Sequence, residues 1–210
     1  MRSGKFWLLG LALFALPELA SAASLQKGTS VLAIQLNRGV ADLTGNQGGV
    51  LFSSSRPELG FQAQYWMFLA DEYGLNVSAG IGYFKESETA DPAVLGASDY
   101  TETMNSWQIR VGGDRFAKVT EKLQIFAGPG IQLWSGKRTI SNQGVDVEDP
   151  TTTRWALSGR IGANIAIGEN FGLIGHIGQY WGYATASEGA ADTKWLPSGS
   201  EGAMGFGFTF

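Results

Sequence analysis

The sequence predicts an all-β chain folded as an eight-stranded antiparallel up-and-down transmembrane β-barrel, and three observations predict it. Apolar residues recur at every second position in eight segments, the positions between them hold mainly Gln, Asn, Ser and Gly, and long connections alternate with short ones. The composition suits one such domain: 210 residues, 30 of them Gly, 44% hydrophobic and only 16% charged. With no Cys there is no disulfide framework, thiolate metal site or Cys nucleophile, and a single His is too few for a zinc centre. A net charge of −4, with no clustered stripe among the 15 Lys and Arg, speaks against nucleic acid as a partner.

The chain opens with Arg2 and Lys5, an apolar run from Phe6 to Leu16, then Pro17 and the small residues Ala20, Ser21 and Ala22. This pattern reads as a secretory signal peptide over residues 1–22, cleaved after Ala22, which leaves residues 23–210 as the barrel domain. The run is too short for a membrane-spanning helix and Glu18 interrupts it.

The first strand is predicted on Leu32, Ile34 and Leu36, the second on Leu59, Phe61, Ala63, Tyr65, Met67 and Leu69, and the third on Leu75, Val77, Ala79, Ile81 and Tyr83. Trp107, Ile109 and Val111 mark the fourth, and Leu123, Ile125, Ala127, Ile131 and Leu133 the fifth. Trp155, Leu157, Ile161, Ala163, Ile165 and Ile167 mark the sixth, Phe171, Leu173 and Ile177 a weaker seventh, and Met204, Phe206, Phe208 and Phe210 the eighth. A period of two places each set on one face of a strand. Pro129 removes a ladder donor within the fifth and predicts a bulge or local kink there.

The opposite face decides the solvent. A soluble barrel turns its apolar face inward and covers the outside with Lys and Glu, which these strands mostly lack. Gln62, Gln64, Asn76, Ser78, Gln108, Gln132 and Ser158 instead suit a narrow polar lumen with the apolar face toward lipid. Long connections at about 37–57, 87–102, 135–153 and 184–199 alternate with short ones at about 70–74, 113–122 and 168–170, as in barrels with short turns on one side and long loops on the other. Both chain ends then fall on the short-turn side. Tyr83, Trp134, Trp155, Trp181 and Tyr183 near the loop side, and Tyr73, Phe171 and Phe210 near the turn side, are expected to form two interfacial girdles, with the parity of Trp134 pointing it inward.

At this point the chain resembles the small eight-stranded outer-membrane barrels of Gram-negative bacteria, the OmpA/OmpX-type and opacity-protein-like group, over essentially the whole of residues 23–210. The local element that carries most of the likeness is Gly205-Phe206-Gly207-Phe208-Thr209-Phe210. The resemblance implies that Phe206, Phe208 and Phe210 form a signal read by the barrel-assembly machinery, and that the protein lies in outer-membrane lipid.

Arg110, Arg154, Arg160, His176 and Glu201 have inward parity and form the expected lumen polar network. Residue counts from the short turns put Arg160 and Glu201 at comparable heights and predict an ion pair between them, either a static plug or a gate. His176 could activate Ser158 only if the two were hydrogen-bonded, and the motif of the deacylases among outer-membrane barrels, with His and Ser two positions apart on one strand, fails here because Gly178 stands two beyond His176. The cluster Asp146, Glu148 and Asp149 invites a calcium reading but lacks the Gly and distant Glu of an EF-hand loop, so a solvated acidic loop is expected. Asp42, Glu86, Glu88, Asp91, Asp99, Glu102, Glu188 and Asp192 add to the acidic character of the long loops and their margins.

No catalytic, cofactor or metal residue is assigned. The expected protein is a non-enzymatic outer-membrane barrel with four long extracellular loops that serves envelope integrity or contacts an extracellular ligand or host surface. A narrow channel for small solutes and a lipid-modifying enzyme are its rivals.

Overall fold

The structure is a computed structural model, and it describes residues 25–42, 45–47, 50–52, 55–88, 100–142, 145–188, 191–196 and 198–210. Residues 1–22, where the sequence predicts a signal peptide, and the side chains of Asp42, Glu88, Asp91, Asp99, Glu188 and Asp192 lie outside that description. Eight long strands form the wall: β1 (Ser30–Asp42), β2 (Ser55–Ala70), β3 (Tyr73–Glu88), β4 (Tyr100–Lys118), β5 (Leu123–Asn142), β6 (Thr152–Ala166), β7 (Phe171–Glu188) and β8 (Ser198–Thr209). Each pairs antiparallel with its sequence neighbours, and β1 pairs with β8, so the sheet closes into an eight-strand ring. Closure places every wall strand between two partners and leaves no edge in the bilayer.

The wall is sorted as a lipid-facing barrel requires. Ile34, Phe61, Ile81, Ile131, Leu157, Ile177 and Phe206 point outward and are exposed, while Gln35, Gln64, Asn76, Arg110, Gln132, Ser158 and Arg160 point inward and are buried. Soluble monomers rarely expose contiguous apolar patches beyond a few hundred Å². Tyr83, Trp107, Trp155 and Tyr183 lie on the outer face toward the loop side. Phe171 stacks on Phe206 at 5.4 Å near the turn side, and Tyr65 lies 6.4 Å from Phe210. The backbone of Phe210 exchanges two hydrogen bonds with Ser30, at 2.8 and 3.0 Å, which carries the β1–β8 seam to the end of the strand. Trp134 points inward, as its parity requires, and is buried.

The connections differ from the sequence reading in two respects. The segment 113–122 is mostly strand, because β4 continues to Lys118 and only residues 119–122 turn. Toward the loop side the wall strands run past the expected boundaries, and short strands at Gly45–Gln47, Val50–Phe52, Val145–Glu148 and Ala191–Trp195 add hairpin extensions. Polar β-ladders can continue beyond the membrane because their alternation no longer has to present an apolar face. On the turn side, Asp71 and Glu72 connect β2 to β3, with Glu72 in the left-handed region at φ 66°. Backbone bonds from Phe116 N–H to Glu72 O at 2.7 Å and from Glu72 N–H to Leu25 O at 3.2 Å hold this strained position.

Pro129 interrupts the β4–β5 ladder but does not shift its register. Gly112 pairs with Gly130 on one side of the gap and Arg115 with Ala127 on the other, while Gly113 and Asp114 have no ladder partner on β5. The result is a local lapse in pairing, not a bulge, and Asp114 stands at it.

Candidate functional site

Among the described residues, the lumen is where the fold gathers charged and polar side chains away from water, and four tiers fill it. The lowest, at the short-turn end, is apolar: Val31, Ala33, Trp66, Phe68, Phe116, Phe126 and Ile174 form a buried cluster against which Leu25 packs. Phe116 stacks on Phe126 with ring centroids 5.0 Å apart, Phe68 lies 5.0 Å from Phe116, and Trp66 meets Phe126 edge-on at 5.8 Å. These residues converge because the inward parity of β2, β4 and β5 becomes aromatic close to the turns. A Cβ at Gly162 would collide with the Phe126 ring, so the missing side chain on β6 makes room for the plug.

Above the plug lies an ionic tier centred on Asp114. Its carboxylate pairs with the Arg160 guanidinium, and both side chains are 0% exposed. It also accepts hydrogen bonds from Trp66 Nε1 at 2.7 Å and Asn76 Nδ2 at 2.8 Å. Arg110 donates to Asn76 Oδ1 at 2.6 Å and, through Nε, to Ser158 Oγ at 3.0 Å. The guanidinium of Arg110 occupies space left by Gly130, where an added Cβ would sit 2.6 Å from Arg110 Cζ. Burying charges is costly unless pairing and hydrogen bonds satisfy them together, and Asp114 is engaged from three sides.

The expected Arg160–Glu201 pair is therefore corrected. Along the ladder Arg160 and Glu201 flank Gly178 on β7, so they are neighbours across a glycine. Arg160 nevertheless turns the other way, past Gly128 on β5 to Asp114, while Glu201 Oε2 accepts from Gln132 Nε2 at 3.0 Å. The two do lie at comparable height, and the physical reason they do not pair is a competing carboxylate: Asp114, against Gly128 on the other side of Arg160, is fully buried and already held by Trp66 and Asn76, whereas Glu201 is partly exposed and is met by Gln132. The missed residue was legible by parity alone, since Arg110, Gly112, Asp114 and Phe116 continue one face; taking 113–122 as a connection hid it.

The third tier is a relay of amides. Gln132 Nε2 donates to Gln108 Oε1 at 3.0 Å, Gln108 Nε2 to Gln62 Oε1 at 3.0 Å, Gln62 Nε2 to Gln35 Oε1 at 3.4 Å, and Gln35 Nε2 to the Ile174 carbonyl at 3.4 Å. The chain links β5, β4, β2, β1 and β7, and each amide can join it because it carries both a donor and an acceptor. The top tier holds Arg154, whose guanidinium carbon lies 3.9 Å from the Tyr180 ring centroid and 5.1 Å from that of Trp134. Cation–π contact of this kind is strengthened by exclusion of water.

His176 is buried in the lumen on β7, in register with Gly162 and Ala203. Ser158 is not joined to it: the serine lies level with Tyr180, further along β7, and its oxygen accepts from Arg110. Of the acidic hairpin, Glu148 pairs with Lys137 and Asp149 with Arg138, so two of the three carboxylates read for calcium are engaged by basic side chains of β5. Among the described residues no cluster of three or more acidic or His side chains could hold a metal ion.

Comparisons with solved structures match this architecture. The outer membrane protein OprG from Pseudomonas aeruginosa is similar over 90% of this chain and 99% of its own, with a TM-score of 0.50 and 12% identity. Ail, the attachment invasion locus protein of Yersinia pestis, is similar over 88% of this chain and 100% of its own, with a TM-score of 0.46 and 16% identity. Neisserial surface protein A covers 87% of this chain with 96% of its own, at a TM-score of 0.47 and 12% identity. At 12% identity the likeness to OprG is one of fold. No curated protein matches the chain by sequence. The closed eight-strand ring and its lipid-facing wall agree with the family model for the outer membrane protein beta-barrel domain, which matches residues 6–210, and the chain belongs to that family and resides in the outer membrane.

Proposed function

We propose that this protein is a non-conducting, non-enzymatic barrel that stabilises the outer membrane through its wall and meets the outside through the hairpins that continue β1 to β8 beyond the lipid. The observation that carries this reading is the filled lumen, with an aromatic plug at the turn side beneath the Asp114–Arg160 pair. Eight strands enclose an interior about wide enough for their own side chains, and here those side chains are Trp, Phe and Arg. A channel would need a continuous polar path past Phe68, Phe116 and Phe126, all of them nearly fully buried against one another.

A lipid-modifying enzyme would need its nucleophile and base at the lipid-facing surface. The sole His of the chain faces the lumen instead, and Ser158, the hydroxyl the sequence pointed to, lies level with Tyr180 and not with His176. Planar-bilayer recording of the purified protein tests the proposal: a silent bilayer despite verified insertion is expected, and resolved unitary current steps would overturn it.

A further inference from the structure

On the outer wall near the turn side, the lipid-facing row of β4 carries a cation. Asp114 and Phe116 are buried in the lumen, so Arg115 between them faces outward, in register with Tyr73 on β3. A charge on the lipid face is costly at the bilayer midplane and tolerated at the headgroups. Arg115 stands at the headgroup level, because Tyr73 is the first residue after the turn that joins β2 to β3 and is itself exposed. The guanidinium carbon lies 5.5 Å from the Tyr73 ring centroid, and Nη2 lies 3.8 Å from Glu72 Oε2, an electrostatic contact longer than a hydrogen bond. Both side chains are sheltered from water, Arg115 at 11% exposure and Glu72 at 31%, which strengthens whatever charge they meet. Glu72 is also fixed in place, since its backbone is held by Phe116 N–H and Leu25 O. Beside the pair the wall is shallow. The next outward positions along β4 are Gly113 and Ala117, a Cβ built on Gly113 would meet no atom within 4 Å, and exposed Leu75 and Val111 border this dent on the side toward the midplane.

We propose that Glu72, Tyr73 and Arg115 form a site for one phospholipid of the turn-side leaflet whose headgroup carries both a phosphate and an ammonium group. The planar donors of a guanidinium match phosphate oxygens, and a carboxylate accepts from an ammonium. The two charges of the site therefore answer the two charges of such a headgroup. A headgroup with a phosphate alone would satisfy Arg115 but bring its negative charge to Glu72, 3.8 Å away. The first methylenes of the acyl chain then cross the dent at Gly113 and continue along Leu75 and Val111.

Lipid retention tests the site. The folded protein is reconstituted in bilayers of an uncharged galactolipid that contain equal amounts of phosphatidylethanolamine and phosphatidylglycerol with matched acyl chains, released into mild detergent, and its bound lipid identified by native mass spectrometry. One retained phosphatidylethanolamine per barrel, several-fold more frequent than phosphatidylglycerol, is expected. Glu72→Gln should keep a bound lipid but lose the preference, so that the two lipids are retained equally. Arg115→Gln should lose retention of both, and Gly113→Leu, which fills the dent, should weaken retention while leaving the preference in place; heat-modifiable migration shows that each variant is folded. Equal retention of the two lipids by the unaltered protein, a preference for phosphatidylglycerol, no retained lipid, or an unchanged preference in folded Glu72→Gln would overturn the proposal. The first three of these need no variant, so the test holds even if a substitution prevents folding. The site lies on the outer wall, so its failure would leave the non-conducting reading of the lumen to stand or fall on bilayer recording.

Discussion

Replacing Asp114 tests whether the lumen is a dry, packed interior or a hydrated passage. In the structure its carboxylate is 0% exposed and is the meeting point of Arg160, Trp66 Nε1 and Asn76 Nδ2. Asp114→Ala removes the charge and leaves Arg160 buried without an ion-pair partner. Breaking a buried pair in this way costs about 3 to 5 kcal/mol, whereas a solvent-exposed pair is worth only about 0.2 to 1 kcal/mol. Arg160→Met should be costly for the same reason, since it strands the carboxylate while retaining contact with Trp66 and Phe126, whose ring centroids lie 5.3 and 5.5 Å from the guanidinium carbon. The double variant removes both charges together and should cost less than the sum of the singles, by an interaction energy of about 0.5 to 3 kcal/mol. Urea titration of liposome-reconstituted protein, followed by tryptophan fluorescence and gel heat-modifiability, measures all three. Single losses below about 1 kcal/mol, or effects that simply add, would refute a coupled, water-excluded pair and point to a hydrated lumen.

Further outcomes are expected from the same geometry. Ile177→Arg places a cation on the lipid face of β7 and should destabilise the barrel by about 2 to 4 kcal/mol if the site lies near the bilayer midplane, as read by the same titration. Gly130→Val drives a side chain into the Arg110 guanidinium and should cost about 1 to 3 kcal/mol by overpacking, a loss that the additional change Arg110→Ala should partly recover. Deleting Phe210 removes its backbone exchange with Ser30, its contact with Tyr65 and the aromatic end that resembles an assembly signal; the variant should accumulate unfolded in the periplasm, and wild-type levels in the outer-membrane fraction would refute the role.

The alternation of apolar and polar residues was sufficient to determine the strand class, the inward and outward faces and the membrane environment. Parity requires no tertiary information: once Ile109 faces lipid, Gln108 and Arg110 must face the lumen, as they do. For the same reason Arg154, Arg160 and His176 could be assigned to the interior from sequence, and Trp134 separated from the other loop-side aromatics. Strand ends were less legible, because polar strand residues beyond the bilayer look like loop; Asp114 disappeared into a supposed turn on the opposite side for a related reason. Which inward residues touch was decided only by the closed barrel. Tilt and stagger carry each row upward around the wall, and glycines at 128, 130 and 178 determine where long side chains can cross. Gly128 and Gly178 leave Arg160 both directions open and the buried Asp114 carboxylate takes it, while four glutamines separated in sequence join into one relay. Periodicity along a strand is a local property that every residue carries, whereas contact across a lumen depends on the register of all eight strands at once.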